Sequence, residues 1–365
     1  MRRKRLCYII GTRPEVIRSA AILRAFERDH QGVDVDLVNT GQHFDPSMMS
    51  LLAEEVGLLA PTRTLATRRG SQGRRFAAII ADMVDFLEEG CFDAVVVYGD
   101  TDSSLAGALA GVKTRTPVVH IEAGCRSGDM RMQEEMNRRL IDHVSALDLA
   151  VSDNCIAHLR AESAPGHAVV TGDPQFDVFC EHRPARAEPS GRPPTGFVTM
   201  HRAENVDDPS FLRKLLAALE RFGEKTGMVF TWASHPRTAM SVGALPGSPW
   251  VQIVPPLAYR QTLEHLARAR VCVTDSGGLQ KEAFWLRTPC VTMRPTTEWV
   301  ETVAAGANVL CPDPEGLDRA LASAVDGRAD VLWAANPYGG VGSSQRVAAV
   351  IVGWLEGDGG TGWRR

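Results

Sequence analysis

Short apolar runs alternate with longer amphipathic stretches along nearly the whole chain. Leu6–Ile10, Val35–Val38, Ala94–Tyr98, Val118–Ile121, Leu147–Val151 and Ala168–Val170 are mainly apolar and several are rich in Val and Ile. Such runs predict strands buried on both faces. Between them, Pro14–Glu27, Gly73–Glu88 and Asn137–Ser145 carry apolar residues at helical spacing. The alternation predicts βαβ units, and hence a parallel sheet with helices on both sides.

A stretch rich in Pro, Arg and Gly interrupts the pattern at 181–195 and reads as a linker. A second series follows: Gly196–Met200, Met228–Trp232, Val251–Val254, Val271–Thr274, Cys290–Met293 and Val309–Cys311. The fold class is therefore α/β, with two Rossmann-like α/β/α domains, 1–180 and 196–340, expected to face a central cleft. Val347–Leu355 is apolar at helical spacing, so 341–357 is expected to pack back toward the first domain. Residues 358–365 read as a loose tail.

Composition narrows the class. With 44% apolar and 23% charged residues the chain is that of a soluble globular protein, and its length allows two cores. A net charge of -4 argues against general nucleic-acid binding. No apolar run approaches the roughly 20 residues of a membrane span. The basic start, Met1 to Arg5, is followed by an apolar run that stops at Ile10 and leads into Gly11-Thr12-Arg13-Pro14, so it reads as a first strand rather than a signal peptide. The eight cysteines are scattered with no CxxC pair, which predicts buried free thiols in a reducing cytoplasm and neither a disulfide framework nor a zinc site.

The candidate chemistry gathers where strands end. Asp100 and Glu122 each close an apolar run, and Glu134 stands on a segment that begins a helix. In an open parallel sheet the carboxyl ends of strands face the ligand crevice. Acidic groups collected there point to proton transfer on a bound substrate. Gly11-Thr12-Arg13-Pro14-Glu15 follows the first strand and has proline suited to the first helical position. Arg13 and Arg18 there meet an anion, or the segment is an ordinary βα turn with a surface arginine. Asp275-Ser276-Gly277-Gly278 opens another helix, with a capping hydroxyl and two glycines that expose backbone N–H groups to a diphosphate, while Glu282, about one turn in, reaches a ribose diol. The competing reading is a capped helix with a close-packed glycine pair.

His201 and His235 both stand just after strands of the second series, next to Arg202 and Arg237. His201 and Arg202 are candidates for contact with a departing phosphate, His201 also for proton transfer near neutral pH, and His235 is a candidate at its strand exit, against a purely structural histidine. Neither has the spacing of a catalytic zinc site. Arg294 and Thr297 leave another strand near Trp299, itself either a lid to the nucleotide site or a buried anchor. Arg63, Arg68, Arg69, Arg74 and Arg75 read as a basic solvated loop. The tail formally matches GxGxxG over 357–362, but it follows a helix and opens no βα turn, so a nicotinamide site is not expected there.

Taken in order, GTRPE (11–15), TGQH (40–43), GDT (99–101), HIEAG (120–124), EEMNR (134–138), HRAEN (201–205), DSGGLQKE (275–282) and TTEWVETV (296–303) resemble the UDP-N-acetylglucosamine 2-epimerase family across both domains. The resemblance implies the two-domain glycosyltransferase-B architecture. The first domain would carry the acid/base residues on the sugar side, and the second would hold UDP. It implies an isomerase that interconverts UDP-GlcNAc and UDP-ManNAc by eliminating UDP to a 2-acetamidoglucal and adding it back, with no cofactor and no metal. Asp100, Glu122, Glu134 and His201 would be the catalytic set. Arg13, Arg18, Gln42, His43, Arg138, Arg202, Glu204, His235, Ser276, Gly277, Gly278, Glu282, Arg294 and Thr297 would bind substrate or orient carboxylates. The expected partner is a UDP-sugar, and a cytoplasmic homodimer is implied, with no nucleic acid or membrane.

The chain also departs from the family pattern. Gln133 replaces a proline, Arg18 a lysine, Asp173 an asparagine, and Trp299 an arginine found in many bacterial members. Phe44-Asp45-Pro46 differs from the segment that bacterial members use to bind an activating second substrate. Three alternatives stay open: a hydrolysing epimerase that releases N-acetylmannosamine and UDP, a glycosyltransferase of the same architecture, and a UDP-sugar-binding protein without turnover.

Overall fold

The computed structural model describes residues 2–42, 52–66, 70–184, 194–234, 247–327, 331–333 and 336–357. They form two compact units. The first comprises Met1–Glu181 and Tyr338–Arg365, and the second His182–Pro337.

Unit 1 holds the strands β1 (Lys4–Ile10), β2 (Val33–Asn39), β3 (Arg63–Thr64), β4 (Ala94–Tyr98), β5 (Val118–Ala123), β6 (Leu147–Ala150) and β7 (His167–Val170). They form one sheet in the order β3-β2-β1-β4-β5-β6-β7, and every pairing is parallel. Its helices are α1 (Arg13–Asp29), α2 (Gln72–Gly90), α3 (Asp102–Lys113), α4 (Gln133–Val144), α5 (Asp153–Ala161) and α6 (Pro174–His182). β1 and β4 are buried over Leu6–Ile10 and Ala94–Tyr98, as expected for strands covered by helices on both faces. Cys7, Ile9, Val95 and Val97 pack with Met83, Phe86 and Leu87 of α2 and with Leu105, Ala106, Ala108 and Ala110 of α3.

Unit 2 repeats the plan with β8 (Thr195–Met200), β9 (Val229–Ser234), β10 (Val251–Val254), β11 (Val271–Thr274), β12 (Cys290–Thr292) and β13 (Asn308–Leu310). The order is β10-β9-β8-β11-β12-β13, again all parallel. The helices are α7 (Ala203–Val206), α8 (Pro209–Thr226), α9 (Tyr259–Arg268), α10 (Gly277–Trp285), α11 (Val300–Ala304) and α12 (Leu317–Asp326). Leu212, Leu215, Leu216 and Leu219 of α8 form an apolar face against Val198, Phe230 and Trp232 of the sheet. Burying each such side chain contributes about 1.5–3 kcal/mol. An exposed pair such as Arg28–Asp29 is screened by water and adds little. Stability therefore lies in the two cores.

The chain ends in α13 (Ser343–Glu356), which packs on α1 in unit 1. Val347, Ala348, Ile351 and Leu355 are its buried stripe. Its start is held by Asp177 of α6, which accepts the amides of Gly342 and Ser344 at 2.7 and 2.6 Å. Arg346 adds a bond from Nε to the Thr171 carbonyl at 2.9 Å.

One expectation needs correcting. The arginines read as a basic loop do not share one. Arg63 lies in β3, paired with β2, and Arg74 and Arg75 lie in the first turn of α2. Short edge strands carry little apolar signal, which is why β3 was not legible. Arg68, Arg69 and most of the linker stretch, 185–193, lie outside the described residues, as does 358–365 of the tail.

Candidate active site

In each unit the strand order reverses once, between β1 and β4 in unit 1 and between β8 and β11 in unit 2. The carboxyl ends at such a reversal form the natural ligand crevice of a parallel α/β sheet. Gly11–Glu15 and Gly99–Thr101 sit at the first reversal, and His201–Asn205 and Asp275–Gly278 at the second. Tertiary topology thus puts four separate motifs at two points.

At the first point, Glu15 is buried and organises the loop. Its Oε2 accepts the amides of Gly11 and Thr12, both at 2.7 Å, and its Oε1 accepts the hydroxyls of Thr101 and Ser104. Burial raises the Glu15 pKa, and these donors act against that rise. Gly11 has no room for a side chain, since a Cβ would lie 2.0 Å from Ser103 Oγ and 2.3 Å from Thr40 Oγ1. Gln42 is half-buried and accepts the Ser103 amide at 2.9 Å; His43 lies outside the described residues. Arg13 is half-buried at the helix start.

The three acidic candidates occupy different environments. Glu122 is buried and has a φ of 71°, a left-handed conformation that is costly for a residue with a side chain. It coincides with a register irregularity between Ile121 and Ala123 in the β5–β6 pairing, so an extra residue is accommodated there. Arg18 of α1 donates from one guanidinium nitrogen to both Glu122 oxygens, at 3.0 and 3.1 Å, and lies over the Tyr98 ring. Burial works to lower the Arg18 pKa, but Glu122 first, then Tyr98, Asp173 and Asp100, hold it above its ordinary value. Asp100 pairs with Arg138 of α4, and Asn137 Nδ2 donates to its carbonyl at 2.9 Å. Glu134, half-buried in the first turn of α4, makes no hydrogen bond or ion pair among the described residues. It is the carboxylate with least to break before accepting a proton.

At the second point, His201 Nδ1 lies 2.9 Å from Asp275 Oδ1. Asp275 is fully buried and also accepts the amides of His201 and Arg202 and the side-chain amide of Asn205, at 3.0–3.1 Å. Burial favours the neutral acid, but His201 and then the amide donors outweigh it and lower the Asp275 pKa to about 2. An ionised partner on Nδ1 leaves Nε2 as the ring atom that exchanges a proton. Arg202 Nε donates to the Asp275 carbonyl at 3.1 Å and its guanidinium faces the mostly exposed Glu204.

The start of α10 has the geometry of an anion site. Ser276 is its N-cap, its Oγ accepting the Leu279 amide at 3.4 Å, and Gly277 and Gly278 form the first turn. A Cβ on Gly277 would fall 2.6 Å from Glu298 Oε1, so only glycine lets that carboxylate pack there. Arg294 is buried with Glu298, their side chains 2.8 Å apart. Glu282 accepts the Tyr259 hydroxyl at 2.9 Å. Thr297 is buried and gives its hydroxyl to Gln280 at 2.7 Å, so Thr297 and Arg294 are engaged inside the unit. Trp299 is buried, and Lys281 Nζ lies 3.8 Å from its ring centroid. His235 lies outside the described residues.

Asp275, Glu15 and Tyr259 are the residues that sequence reasoning did not place in the site. Asp275 had a signal: it follows β11, the strand beside β8, so it lands next to His201 once the register is known. Tyr259 had none.

Among the described residues, His120, Asp142 and Asp148 form one buried group of metal-ligand types. Both ring nitrogens of His120 already face protein acceptors, and Arg126 lies against Asp142. A guanidinium in that position opposes a cation, so the group does not fit a metal centre.

Two parallel-sheet units with polar machinery at each switch point define a nucleotide-sugar enzyme of the glycosyltransferase-B kind. A family model described as UDP-N-acetylglucosamine 2-epimerase matches residues 24–352. The chain belongs to that family, and its class is isomerase. It is 39% identical over 308 residues to the UDP-2,3-diacetamido-2,3-dideoxy-D-glucuronate 2-epimerase of Pseudomonas aeruginosa, covering 83% of this chain and 86% of that one. It is 32% identical to the UDP-N-acetylglucosamine 2-epimerase of Methanocaldococcus jannaschii, over 95% of this chain and 99% of that protein. The crystal structure of a Methanocaldococcus jannaschii UDP-GlcNAc 2-epimerase with UDP-GlcNAc and UDP superposes with a TM-score of 0.86 at 30% identity, covering 95% and 99% of the two chains.

Proposed function

We propose that the protein inverts carbon 2 of a UDP-2-acetamido sugar and interconverts UDP-GlcNAc and UDP-ManNAc. The observation that carries this reading is the trio Asp100, Glu122 and Glu134 in unit 1, two of them held by buried or half-buried arginines and one with no polar partner among the described residues. A C2 proton is too weakly acidic for a carboxylate alone. Breaking the C1–O bond to UDP places positive charge beside it and makes it removable. In our reading Glu134 or Asp100 takes the proton, and the C2–H electron pair becomes the C1–C2 double bond of a 2-acetamidoglucal. UDP leaves with the former C1–O pair, supported by His201, Arg202 and the first turn of α10. Delivery of a proton to the other face of C2 and return of the UDP oxygen to C1 complete the inversion. Glu122 assists C–O cleavage. Arg13, Arg18 and Arg138 hold phosphate or orient carboxylates, and Glu282 binds the ribose.

The 39% identical relative supports a second substrate, UDP-2,3-diacetamido-2,3-dideoxy-D-glucuronate, with the same chemistry at carbon 2. The experiment is incubation of the protein with each sugar nucleotide in deuterated water, followed by NMR. Deuterium at carbon 2 of a product that retains UDP supports epimerisation and identifies the substrate. Deuterated free sugar supports the hydrolysing reaction instead. Absence of exchange with both, in folded protein, defeats the reading. No described helix is long and apolar enough to cross a membrane. From the scattered cysteines and the family resemblance we infer a cytoplasmic homodimer; light scattering after gel filtration tests the dimer and cell fractionation the location.

A further inference from the structure

Behind the carboxylate trio lies a buried residue that no step above uses. Asp142 is on α4, eight residues beyond Glu134 and four beyond Arg138, and is completely buried. Its Oδ1 is 2.6 Å from His120 Nδ1. Its Oδ2 accepts the Gly124 amide at 3.2 Å and lies 2.6 Å from the Arg126 guanidinium, which continues to Glu162. His120, equally buried on β5, has its other ring nitrogen 2.8 Å from the Gly99 carbonyl.

These contacts touch the backbone beside each acidic candidate. Gly99 precedes Asp100, Gly124 is two residues past Glu122, and α4 itself carries Glu134 and Arg138. Gly99 and Gly124 turn with left-handed φ values of 73° and 76°, which glycine adopts freely, whereas Glu122 between them holds 71° at a cost and needs outside support. One carboxylate therefore ties the ends of β4 and β5 to α4.

The connection needs a charged ring. Nδ1 faces a carboxylate and Nε2 a carbonyl, and both partners only accept. A neutral imidazole would leave a bare nitrogen lone pair against an oxygen in the interior, which is costly. Burial lowers the His120 pKa, but Asp142 and then Asp148 and the Gly99 carbonyl raise it overall. Asp148 is paired in register with His120 on the neighbouring strand and has no hydrogen-bond partner among the described residues; burial first, then Asp142, raises its pKa to about 8.

We propose that Asp142, acting through an imidazolium at His120 and through the Gly124 amide, is a positioning residue that sets Asp100, Glu122 and Glu134 relative to one another for proton transfer at carbon 2. The proposal rests on the epimerase reading. It touches no substrate, so its removal lowers kcat and leaves nucleotide binding intact.

The test compares wild type with Asp142→Asn, His120→Ala and His120→Gln. The glutamine amide reaches the place of the ring Nε2 and restores a donor to the Gly99 carbonyl. Misplacing catalytic groups by about 1 Å costs about 100-fold. Folded Asp142→Asn and His120→Ala are expected to lose about that much kcat, with KM and the affinity for UDP within about threefold of wild type, and His120→Gln to recover about tenfold over alanine. If Asp142→Asn does not fold, the His120 pair gives the answer. NMR with nitrogen-15 histidine provides an arm independent of turnover: at pH 7 His120 is an imidazolium in wild type and loses that signature in Asp142→Asn. A neutral His120 in wild type, kcat within about threefold in folded Asp142→Asn, or no gain of glutamine over alanine overturns the proposal. Wild type that turns over neither sugar nucleotide defeats the epimerase reading instead, and the NMR arm then decides whether the Asp142–His120 tie exists.

Discussion

Glu122 and Arg18 form a buried pair in which one guanidinium nitrogen spans both carboxylate oxygens at 3.0 and 3.1 Å, with Glu122 held at a φ of 71°. Two costs coincide at this residue, a strained backbone and a desolvated charge, and the arginine offsets the second. Removing one partner of such a pair leaves an uncompensated charge in the interior. Arg18→Met is therefore expected to lower stability by about 3–5 kcal/mol, and Arg18→Lys by clearly less, in urea unfolding followed by circular dichroism. Equal, small losses for both would mean that the pair contributes little.

Asp100→Asn and Glu134→Gln are each expected to reduce turnover at least about 100-fold, the scale of lost general acid–base assistance. Their structural costs should differ. Asp100→Asn removes the ion pair with Arg138, which keeps Glu135 beside it, whereas Glu134 breaks no polar contact among the described residues. Glu134→Gln should thus keep the wild-type melting temperature, and deuterium exchange at carbon 2 should fall with turnover. Near-normal exchange in both variants would remove these residues from the reaction.

Asp275 makes a prediction about acid stability. Its folded pKa, about 2, lies below the ordinary 3.8, because His201 and the surrounding amides outweigh burial. Its contribution is complete above about pH 4 and is lost as pH falls toward 2. In Asp275→Asn that part of the loss is absent, so the decline in unfolding free energy between pH 4 and pH 2 should be shallower than in wild type. The same variant should lower kcat, since His201 loses the anion on Nδ1. Parallel acid profiles for the two proteins would contradict the assignment.

Asp148 works in the opposite sense. Its carboxyl titrates at about pH 8 in the folded chain, against 3.8 ordinarily, chiefly through burial. The folded state keeps a proton that the unfolded state releases, so stability falls as pH rises from about 4 to about 8. Asp148→Asn, close in shape to the neutral acid, removes this dependence. Its stability relative to wild type should improve from pH 5 to pH 8, by an amount on the order of 2–4 kcal/mol. A constant difference across that range would show that Asp148 is ionised when folded.

Asp177 accepts the two amides at the start of α13. Asp177→Ala should cost about 1–2 kcal/mol, the value of a helix N-cap. It should also expose the amides at the start of α13, through residues 342–346, to faster hydrogen exchange while unit 2 is unaffected. Unchanged exchange there would place the anchor of α13 in its apolar stripe alone.

Periodicity made most of the skeleton legible. Ala94–Tyr98 and Val271–Thr274 are strands over the very residues expected, because a strand buried along its whole length carries few polar positions. β3 was hidden, since two exposed residues at a sheet edge bear no such requirement. Local sequence also showed which residue types stand at strand ends, including Asp100, Glu122 and His201.

What those residues do to one another was decided only by the tertiary structure. Asp275 meets His201 across 74 positions, and Arg18 meets Glu122 across 104, because parallel strands distant in sequence become neighbours at a switch point. Thr297 and Arg294 read as substrate-binding candidates in the chain, and only the fold shows that they are buried against Gln280 and Glu298. The reason is physical: hydrophobic pattern is a local property written residue by residue, whereas a buried charge is tolerated only where a partner arrives from elsewhere in the chain.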